Sequence, residues 1–268
     1  MQNNAAEAVC LTHVGGRTGQ EDNFVFDGKS LADLPHGKPG SILTAPLRTG
    51  ITLYAVSDGM GGHNAGEVAS GICTQRLIAL EQRLRRGVSW EGAVERLRTE
   101  FDEINKAVVR AGREHAEWRG MGATLLLLVT DGTRTAILHA GDSRAFLFDG
   151  TTLHILTKDH TEGQRMLDLG LLSESELSSF PARKHLNRYI GLDRLGLALQ
   201  PDVCFPQKTH GCFLLCTDGL TDTLSKEAIA LVLKEEKDWN AAGQRLVRQV
   251  VRRAHADNVT LILIPVRR

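Results

Sequence analysis

The sequence predicts an α+β fold: a four-layer αββα sandwich in which two mostly antiparallel sheets pack face to face and helix pairs flank them. Strand-like segments come in runs separated by pairs of helices, unlike the regular alternation of a parallel α/β sheet. In addition, residues 125–129 form an uninterrupted apolar run, which is typical of a strand covered on both faces. Such a strand requires a layer on each side of its sheet.

The first half of the chain contains most of the predicted strands. Strands are expected over 8–14, 23–26 and 51–57, with a long surface loop rich in Gly, Pro and Lys over 28–50. Two helices follow, and the second carries an apolar stripe from Trp90 to Val108 in steps of four and three residues. The next strands are expected over 123–129, 135–140 and 144–148, joined by Asp-Gly hairpin turns.

The second half begins with a more polar stretch and ends with the last predicted strands and helices of the sandwich. Residues 157–207 are expected to hold short helices, because Thr161 with Gln164 and Ser173 with Glu176 match capping boxes. A strand over 212–217, helices near 226–234 and 241–254, and a strand over 258–264 complete the prediction. Sandwiches of 268 residues often form one unit, so a single domain over 1–268 is expected.

Composition restricts the possible partners and the cellular location. The chain has 32 basic and 32 acidic residues, so its charge gives no support to nucleic-acid or membrane-surface binding. Five cysteines in no paired pattern are typical of reduced thiols. No secretion signal or membrane-spanning apolar run is visible, so we expect a cytoplasmic protein, and a monomer.

Four aspartates lie at the ends of apolar strand-like runs: Asp58, Asp142, Asp218 and Asp257. A carboxylate beside a hydrophobic core is costly unless a cation or hydrogen bonds offset its charge. Each aspartate alone could be an ordinary turn former, but four together favour a shared divalent cation. Oxygen ligands without Cys or His at metal spacing indicate Mg²⁺ or Mn²⁺ rather than Zn²⁺.

Two of these aspartates begin a strand–Asp-Gly–helix junction. The first, Asp58-Gly-Met-Gly-Gly-His-Asn-Ala-Gly-Glu67, could in principle cradle a nucleotide phosphate at a helix N terminus. It contains neither the Lys-Ser/Thr of a Walker loop nor a G-x-G-x-x-G match. The remaining interpretation is a carboxylate followed by glycines that allow backbone carbonyls to approach an ion. The segment from Cys216 to Leu220 is a second junction of this kind.

The chain resembles the protein phosphatase 2C family, the metal-dependent serine/threonine phosphatases, in its compact bacterial form. The resemblance covers about residues 8–265 and depends on separated motifs in the family's order. These are Arg17-Thr-Gly-Gln-Glu21-Asp22-Asn23, Ser57-Asp-Gly-Met-Gly-Gly-His63 with Gly66-Glu67, Gly122-Ala-Thr124, Gly141-Asp-Ser-Arg144, Leu156-Thr-Lys-Asp-His160, Cys216-Thr-Asp-Gly-Leu220 and Asp257-Asn258. Any one motif alone would be weak evidence.

The resemblance implies a centre of two Mn²⁺ or Mg²⁺ ions. Asp58 would bridge the ions, the Gly59 carbonyl would be a further ligand, and Asp218 and Asp257 would complete the site. Two such ions can lower the pKa of a shared water and neutralise phosphoryl oxygens. The implied reaction is hydrolysis of phosphoserine and phosphothreonine in proteins, opposing a serine/threonine kinase.

Four further residues receive roles from the resemblance. Glu21 and Asp22 would support the centre, partly through water, and Asp142 would hold a third, weaker ion together with Asp218. Arg17 would grip the substrate phosphate, since its permanently charged fork of donors matches phosphate oxygens. Taken alone, Arg17 could instead be an exposed loop residue, and Asp142 could cap the turn before Ser143.

The chain departs from the family at the proposed general acid. Many eukaryotic relatives have His where this chain has Met60, and Met cannot donate a proton. His63 and His160 are candidates, although a lone loop His is more often a hydrogen-bonded structural residue. Residues 161–207 would form the variable flap beside the active site.

Other enzyme classes fit less well. Gly141-Asp-Ser143 resembles a serine-hydrolase elbow, but Ser143 leads into a strand rather than a helix. No cysteine is followed six residues later by Arg, which a cysteine phosphatase requires. The non-enzyme alternative is a catalytically silent relative that binds phosphoproteins as a regulatory module, and its signature, lost metal carboxylates, is not seen.

Overall fold

The computed structural model describes residues 7–35, 40–61, 65–193, 196–207 and 210–266. Within these ranges the chain forms strands and α-helices in the following order. The strands are β1 (Glu7–His13), β2 (Asp22–Val25), β3 (Gly40–Pro46), β4 (Thr52–Met60), β5 (Gly122–Ala123), β6 (Leu125–Thr130), β7 (Thr135–Ala140), β8 (Arg144–Phe148), β9 (Leu153–Ile155), β10 (Asp202–Cys204), β11 (Cys212–Cys216) and β12 (Val259–Pro265). The α-helices are α1 (Gly66–Leu84), α2 (Trp90–Glu114), α3 (Glu162–Asp168), α4 (Glu174–Leu177), α5 (Asp218–Thr221), α6 (Lys226–Glu235) and α7 (Trp239–Val251).

The strands form two sheets, and every described pair of neighbouring strands is antiparallel. One sheet has the order β3-β1-β12-β11-β8-β9, and the other has the order β10-β7-β6-β4-β2, with β5 paired to β4. Strands that are distant in sequence, such as β1 and β12, are therefore neighbours. The predicted antiparallel α+β architecture is confirmed.

The apolar run of β6 shows how the layers arise. Leu125, Leu127 and Val129 pack with α1 and α2 on the outer face of their sheet. Leu126 and Leu128 point the other way, into the core between the two sheets. On the far side of the second sheet, α6 and α7 pack against β11 and β12 in a third core. Three apolar cores separate four layers, and the predicted αββα sandwich is confirmed.

The long loop predicted over 28–50 is wrong in part, because it contains β3. This strand pairs with β1 over its whole length at the edge of the sheet. As an edge strand it leaves Ile42 48% exposed, so its sequence lacks the strong apolar pattern of the central strands. The short strands β9 and β10 were also not predicted. In the flap region, α3 and α4 are the expected short helices, and the capping box at Ser173 and Glu176 is present.

Strand register brings the predicted site residues to one end of the sandwich. Asp22 on β2 lies directly opposite Asp58 on β4. In the other sheet, Cys216 at the end of β11 pairs with Arg144 at the start of β8 and with Leu261 near the start of β12. The residues just outside these strands, Asp142, Asp218 and Asp257, therefore emerge at the same edge. None of the described helices is long and apolar enough to cross a membrane.

Candidate metal centre

A cavity of about 830 Å³ opens where the two sheets end. Seven of the eight residues singled out from the sequence line it, and they come from both sheets and from the loop after β1. These residues are Arg17, Glu21, Asp58, Gly59, Asp142, Asp218 and Asp257. The eighth, Asp22, is buried and does not line the cavity.

The backbone around Asp58 is fixed by Thr124. The Asp58 N–H donates to Thr124 Oγ1 at 2.9 Å, and the Thr124 N–H donates to the Asp58 carbonyl at 2.8 Å. Burial raises the pKa of the Asp58 carboxyl well above its usual range, and the charges of Asp22, Asp218 and Asp142 raise it further. A carboxyl in this position gains strongly from a nearby cation, because a cation favours its ionised form.

Gly59 lies where the start of α1 approaches β4. A Cβ atom on Gly59 would lie 2.1 Å from the Gly66 carbonyl oxygen and 2.8 Å from that of Glu21. No side chain fits there, so glycine is required for the close approach of α1. The Gly59 N–H donates to the Glu21 carbonyl at 3.2 Å, which ties the Glu21 backbone to the same point.

Asp218 and Asp257 come from the ends of β11 and β12. Asp218 begins the one-turn helix α5. A Cβ at Gly219 would lie 2.0 Å from the Asn258 carbonyl oxygen, so glycine at this position allows the two strand ends to lie close together. Asp257 Oδ2 accepts a hydrogen bond from Arg17 Nη2 at 2.6 Å. The two carboxylates therefore face one cavity from adjacent strands.

Asn258 holds the loop that carries Arg17 and Glu21. Its Nδ2 donates to the carbonyls of Val14 at 2.8 Å and Gly19 at 3.0 Å. Its Oδ1 accepts from the Glu21 N–H at 2.7 Å. All the bonding capacity of this buried amide except one lone pair is used, so the loop is anchored at three points. Arg17 is 59% exposed beyond this anchor and can reach a ligand in the cavity.

Asp22 lies behind the cavity. Its Oδ2 accepts a hydrogen bond from Thr217 Oγ1 at 2.8 Å, whereas its Oδ1 is buried without a hydrogen-bond partner. Burial raises the pKa of Asp22 to about 7, and the charges of Asp218 and Asp257 contribute to the rise. A buried carboxylate oxygen without a donor indicates that a cation or water belongs near it.

Asp142 is linked to Asp58 through two hydroxyl groups. Thr124 Oγ1, which accepts from the Asp58 N–H, lies 2.7 Å from the hydroxyl oxygen of Ser143. Burial raises the pKa of Asp142 to about 7, with a further contribution from Asp218. Thr124 and Ser143 received no individual role from the sequence, since only the folded chain shows that their hydroxyls meet.

Lys184 is a second residue that sequence reasoning missed. It extends from the flap region into the cavity, where its Nζ lies 3.7 Å from Asp218 Oδ2 and pairs with Asp222. No local pattern could have identified it, because a single lysine in a polar stretch is usually a surface residue.

The histidines proposed as general acids do not line the cavity among the described residues. His160 is buried and directs its ring to Gly141 and Asp202. His63 lies outside the described residues. Met60 does line the cavity, and it has no proton to donate.

The residues present fit hard divalent cations. Six acidic side chains line the cavity, those of Glu21, Asp58, Glu67, Asp142, Asp218 and Asp257, against two basic ones, those of Arg17 and Lys184. This excess of negative charge, with the orphaned oxygen of Asp22 behind it, is stabilised by cations. Carboxylates and backbone carbonyls are the donor set of Mg²⁺, Mn²⁺ and Ca²⁺ rather than of soft metals.

Comparison with known proteins agrees with this geometry. Residues 43–259 match the model of the protein phosphatase 2C family. The chain is 29% identical to the serine/threonine phosphatase stp of Listeria welshimeri over 79% of this chain and 83% of that protein. It is 30% identical to the protein phosphatase PhpP of Streptococcus pneumoniae over 81% of this chain and 87% of that protein.

The three-dimensional comparison gives the same result. The solved structure of the serine/threonine phosphatase Stp1 from Staphylococcus aureus superposes with a TM-score of 0.78 at 26% identity, covering 97% of this chain and 95% of that one. The chain belongs to the protein phosphatase 2C family, whose members are metal-dependent.

Proposed function

We propose that this protein is a metal-dependent phosphatase that removes phosphate from phosphoserine and phosphothreonine in other proteins. One observation carries the proposal: carboxylates from the ends of both sheets and one guanidinium meet in a single open cavity. Relatives similar over four fifths of the chain are named serine/threonine phosphatase and protein phosphatase, which supports the same activity here.

The residues that would hold two divalent cations are Asp58, Gly59, Asp218 and Asp257, with Asp58 bridging and Gly59 contributing its carbonyl. Mn²⁺ and Mg²⁺ both suit this all-oxygen set. When bound, such ions lower the pKa of a water molecule and neutralise phosphoryl oxygens, so that water can displace the serine or threonine oxygen without a phosphorylated enzyme.

Three further carboxylates would assist. Glu21 would act from the cavity wall, and Asp22 from behind it, where its unpartnered Oδ1 supports a role through an ion or a water. Asp142 would share a third, weaker cation with Asp218, as the contribution of Asp218 to the raised pKa of Asp142 supports.

Arg17 would bind the substrate phosphate. Its Nη2 is held 2.6 Å from Asp257 Oδ2, so the guanidinium stays beside the proposed metal ligands. Among the described residues the guanidinium pairs with Asp257 alone, and the side chain is 59% exposed, so its other N–H groups can meet phosphate oxygens. No described residue in the cavity is a histidine, so we propose that the leaving oxygen takes its proton from water.

The substrates would be phosphorylated proteins, and a cognate serine/threonine kinase would supply them. Residues 161–207 would act as the flap that meets the substrate, as the position of Lys184 on the cavity supports. We propose that the chain works as a single domain and a monomer. All five cysteines are free thiols, which is consistent with a reducing, cytoplasmic location.

The test is Mn²⁺-dependent release of phosphate from a phosphothreonine peptide, with Asp218→Asn as the variant. Asp131→Asn is a matched control, because Asp131 also precedes a glycine after a strand, but it lies in a hairpin that does not line the cavity. We expect D218N to lose at least about 100-fold in rate, D131N to keep the wild-type rate, and chelator to abolish activity.

Equal rates with and without chelator would refute the proposal. Binding of the phosphopeptide without turnover in the presence of Mn²⁺ would favour the alternative function, a catalytically silent module that binds phosphoproteins.

A further inference from the structure

A cluster outside the cavity joins two buried histidines and an exposed aspartate. The rings of His139 and His160 stack with centroids 4.5 Å apart and an angle of 5° between their planes. The side chain of Asp202 on β10 lies beside them, and one potential ligand atom from each of the three lies within 4.8 Å of the others. Both histidines are at least 93% buried, whereas the Asp202 side chain is 50% exposed.

The hydrogen bonds of this cluster fix which ring nitrogen of His160 carries the proton. That arrangement does not suit a metal ion bound to the ring. The Gly141 N–H can only donate, and it points at His160 Nδ1 at 3.1 Å, so Nδ1 carries no proton. The proton of neutral His160 is therefore on Nε2, which donates to Asp202 Oδ2 at 3.1 Å. A metal on Nε2 would require the proton to move to Nδ1, directly against the Gly141 N–H. His139 Nε2 likewise donates to the Lys158 carbonyl at 2.9 Å.

His160 occupies both polar groups of the Gly141 backbone. Besides accepting from the Gly141 N–H, it donates its own backbone N–H to the Gly141 carbonyl at 3.0 Å. Gly141 has a φ of +118°, and a Cβ there would lie 2.6 Å from Thr124 Cβ, so the position does not accommodate a side chain. The residue after this clamped glycine is Asp142, which faces the cavity.

The hydrogen bonds of His160 extend on the other side into the flap region. Asp202 Oδ1 accepts from Arg188, and the Asn187 N–H donates to the His160 carbonyl at 2.9 Å. A continuous path of hydrogen bonds thus connects the flap to the backbone before Asp142, through Arg188, Asp202 and His160. Burial lowers the pKa of His160 to about 4, so the ring is neutral near pH 7 and keeps this order of donors and acceptors.

We propose that His160 is a positioning residue: it links the flap at Arg188 to the Asp142 backbone and so sets the affinity of the weaker cation site to which Asp142 contributes. This inference deepens the proposed function and depends on it. It also gives the family-like Asp-His motif at 159–160 a role other than that of a general acid. Outer hydrogen-bond partners of metal ligands typically change metal affinity by about 10- to 100-fold.

Two isosteric substitutions separate the two bonds of the ring. His160→Asn places an amide oxygen near the position of Nδ1, so it keeps an acceptor for Gly141 and loses the bond to Asp202. His160→Gln places an amide nitrogen near the position of Nε2, so it keeps the donor to Asp202 and loses the acceptor for Gly141. Comparing these two variants distinguishes loss of the Gly141 clamp from loss of packing in general.

The readout is Mn²⁺ binding to the full chain by titration calorimetry, with thermal unfolding in chelator as the folding control. We expect H160Q to weaken the weakest class of Mn²⁺ site about 10-fold while the tight sites stay within about twofold. We expect H160N, which loses only the link to Asp202, to weaken that class about threefold, as in R188Q. Arg188→Gln, a change at the accessible end of the path, should weaken the same class about threefold and serves if H160Q does not fold.

The outcomes distinguish this inference from the proposed function. Equal effects of H160Q and H160N, an unchanged weak site in H160Q, or only two ions bound by wild type would overturn the role of His160 and leave the phosphatase proposal intact. If H160Q does not fold, an unchanged weak site in R188Q would overturn it. Absence of any tight Mn²⁺ binding would overturn the proposed metal centre itself, and the inference with it.

Discussion

Replacing Thr124 by valine should remove the hydrogen-bonded link between the Asp58 backbone and Ser143, which precedes β8 next to Asp142 in the proposed metal centre. The Thr124 hydroxyl accepts from the Asp58 N–H at 2.9 Å and shares a hydrogen bond of 2.7 Å with Ser143, next to Asp142. Valine has nearly the same shape but no hydroxyl, so the partly buried Asp58 N–H and the buried Ser143 hydroxyl would lose their bond. The site is 2% exposed, and water cannot easily replace the missing group.

The expected loss in unfolding free energy follows from the two polar groups that lose their hydrogen-bond partner. At about 1 to 3 kcal/mol each, and with less than full additivity because they share one hydroxyl, the loss should be roughly 2 to 4 kcal/mol. For a chain of this size that corresponds to a fall in Tm of roughly 5 to 15 °C. Thr124→Ser keeps the hydroxyl and loses one methyl group, which should cost about 1 kcal/mol.

The assay is thermal or urea unfolding in chelator, so that bound metal does not contribute to stability. Phosphatase activity at saturating Mn²⁺ should fall about 10-fold in T124V and much less in T124S, because T124V leaves the Asp58 N–H without its hydroxyl acceptor. If T124V were no less stable and no less active than T124S, the hydroxyl would not be the link between the two aspartates.

Three further predictions concern other contacts of the site and core. Asn258→Leu should raise KM for a phosphopeptide more than it lowers kcat, because the loop carrying Arg17 loses three hydrogen bonds; an unchanged KM would contradict this. Lys184→Met should increase Mn²⁺ affinity by at most about fivefold, since a half-exposed ion pair is worth about 1 kcal/mol or less. Weaker Mn²⁺ binding in K184M would count against competition between the ammonium and the cation for Asp218. Burial raises the pKa of Glu81 above its ordinary value of 4.5, so its carboxyl contributes stability below pH 4.5 that is lost as pH rises through the raised pKa. Glu81→Gln should remove that loss, so the difference in unfolding free energy between E81Q and wild type should shift in favour of E81Q from pH 4.5 to 7.5. A shift the other way would show that the Leu53 N–H and Arg85 lower the pKa of Glu81 by more than burial raises it.

Local patterns predicted the architecture well where packing is periodic. The alternation of Leu125 to Val129 between two cores follows directly from a strand with apolar residues on both faces. The position of four aspartates at strand ends could also be read locally, because a carboxylate marks the point at which an apolar run leaves the core. Their meeting in one cavity required the pairing of strands distant in sequence, which only the family resemblance supplied in advance.

Other features could not be predicted because they depend on long-range contacts. β3 is an exposed edge strand, and its polarity made it resemble a loop. Lys184 reaches the cavity from an irregular segment without periodic pattern. The hydroxyl of Thr124 and the ring of His160 obtain their roles from partners 66 and 19 residues away in the sequence.

The most direct test of the metal centre is anomalous diffraction at the manganese absorption edge from crystals grown with Mn²⁺. Two peaks enclosed by the carboxylates of Asp58, Asp218 and Asp257 are the predicted result. An empty cavity at saturating Mn²⁺, or density only beside His139, His160 and Asp202, would contradict the account.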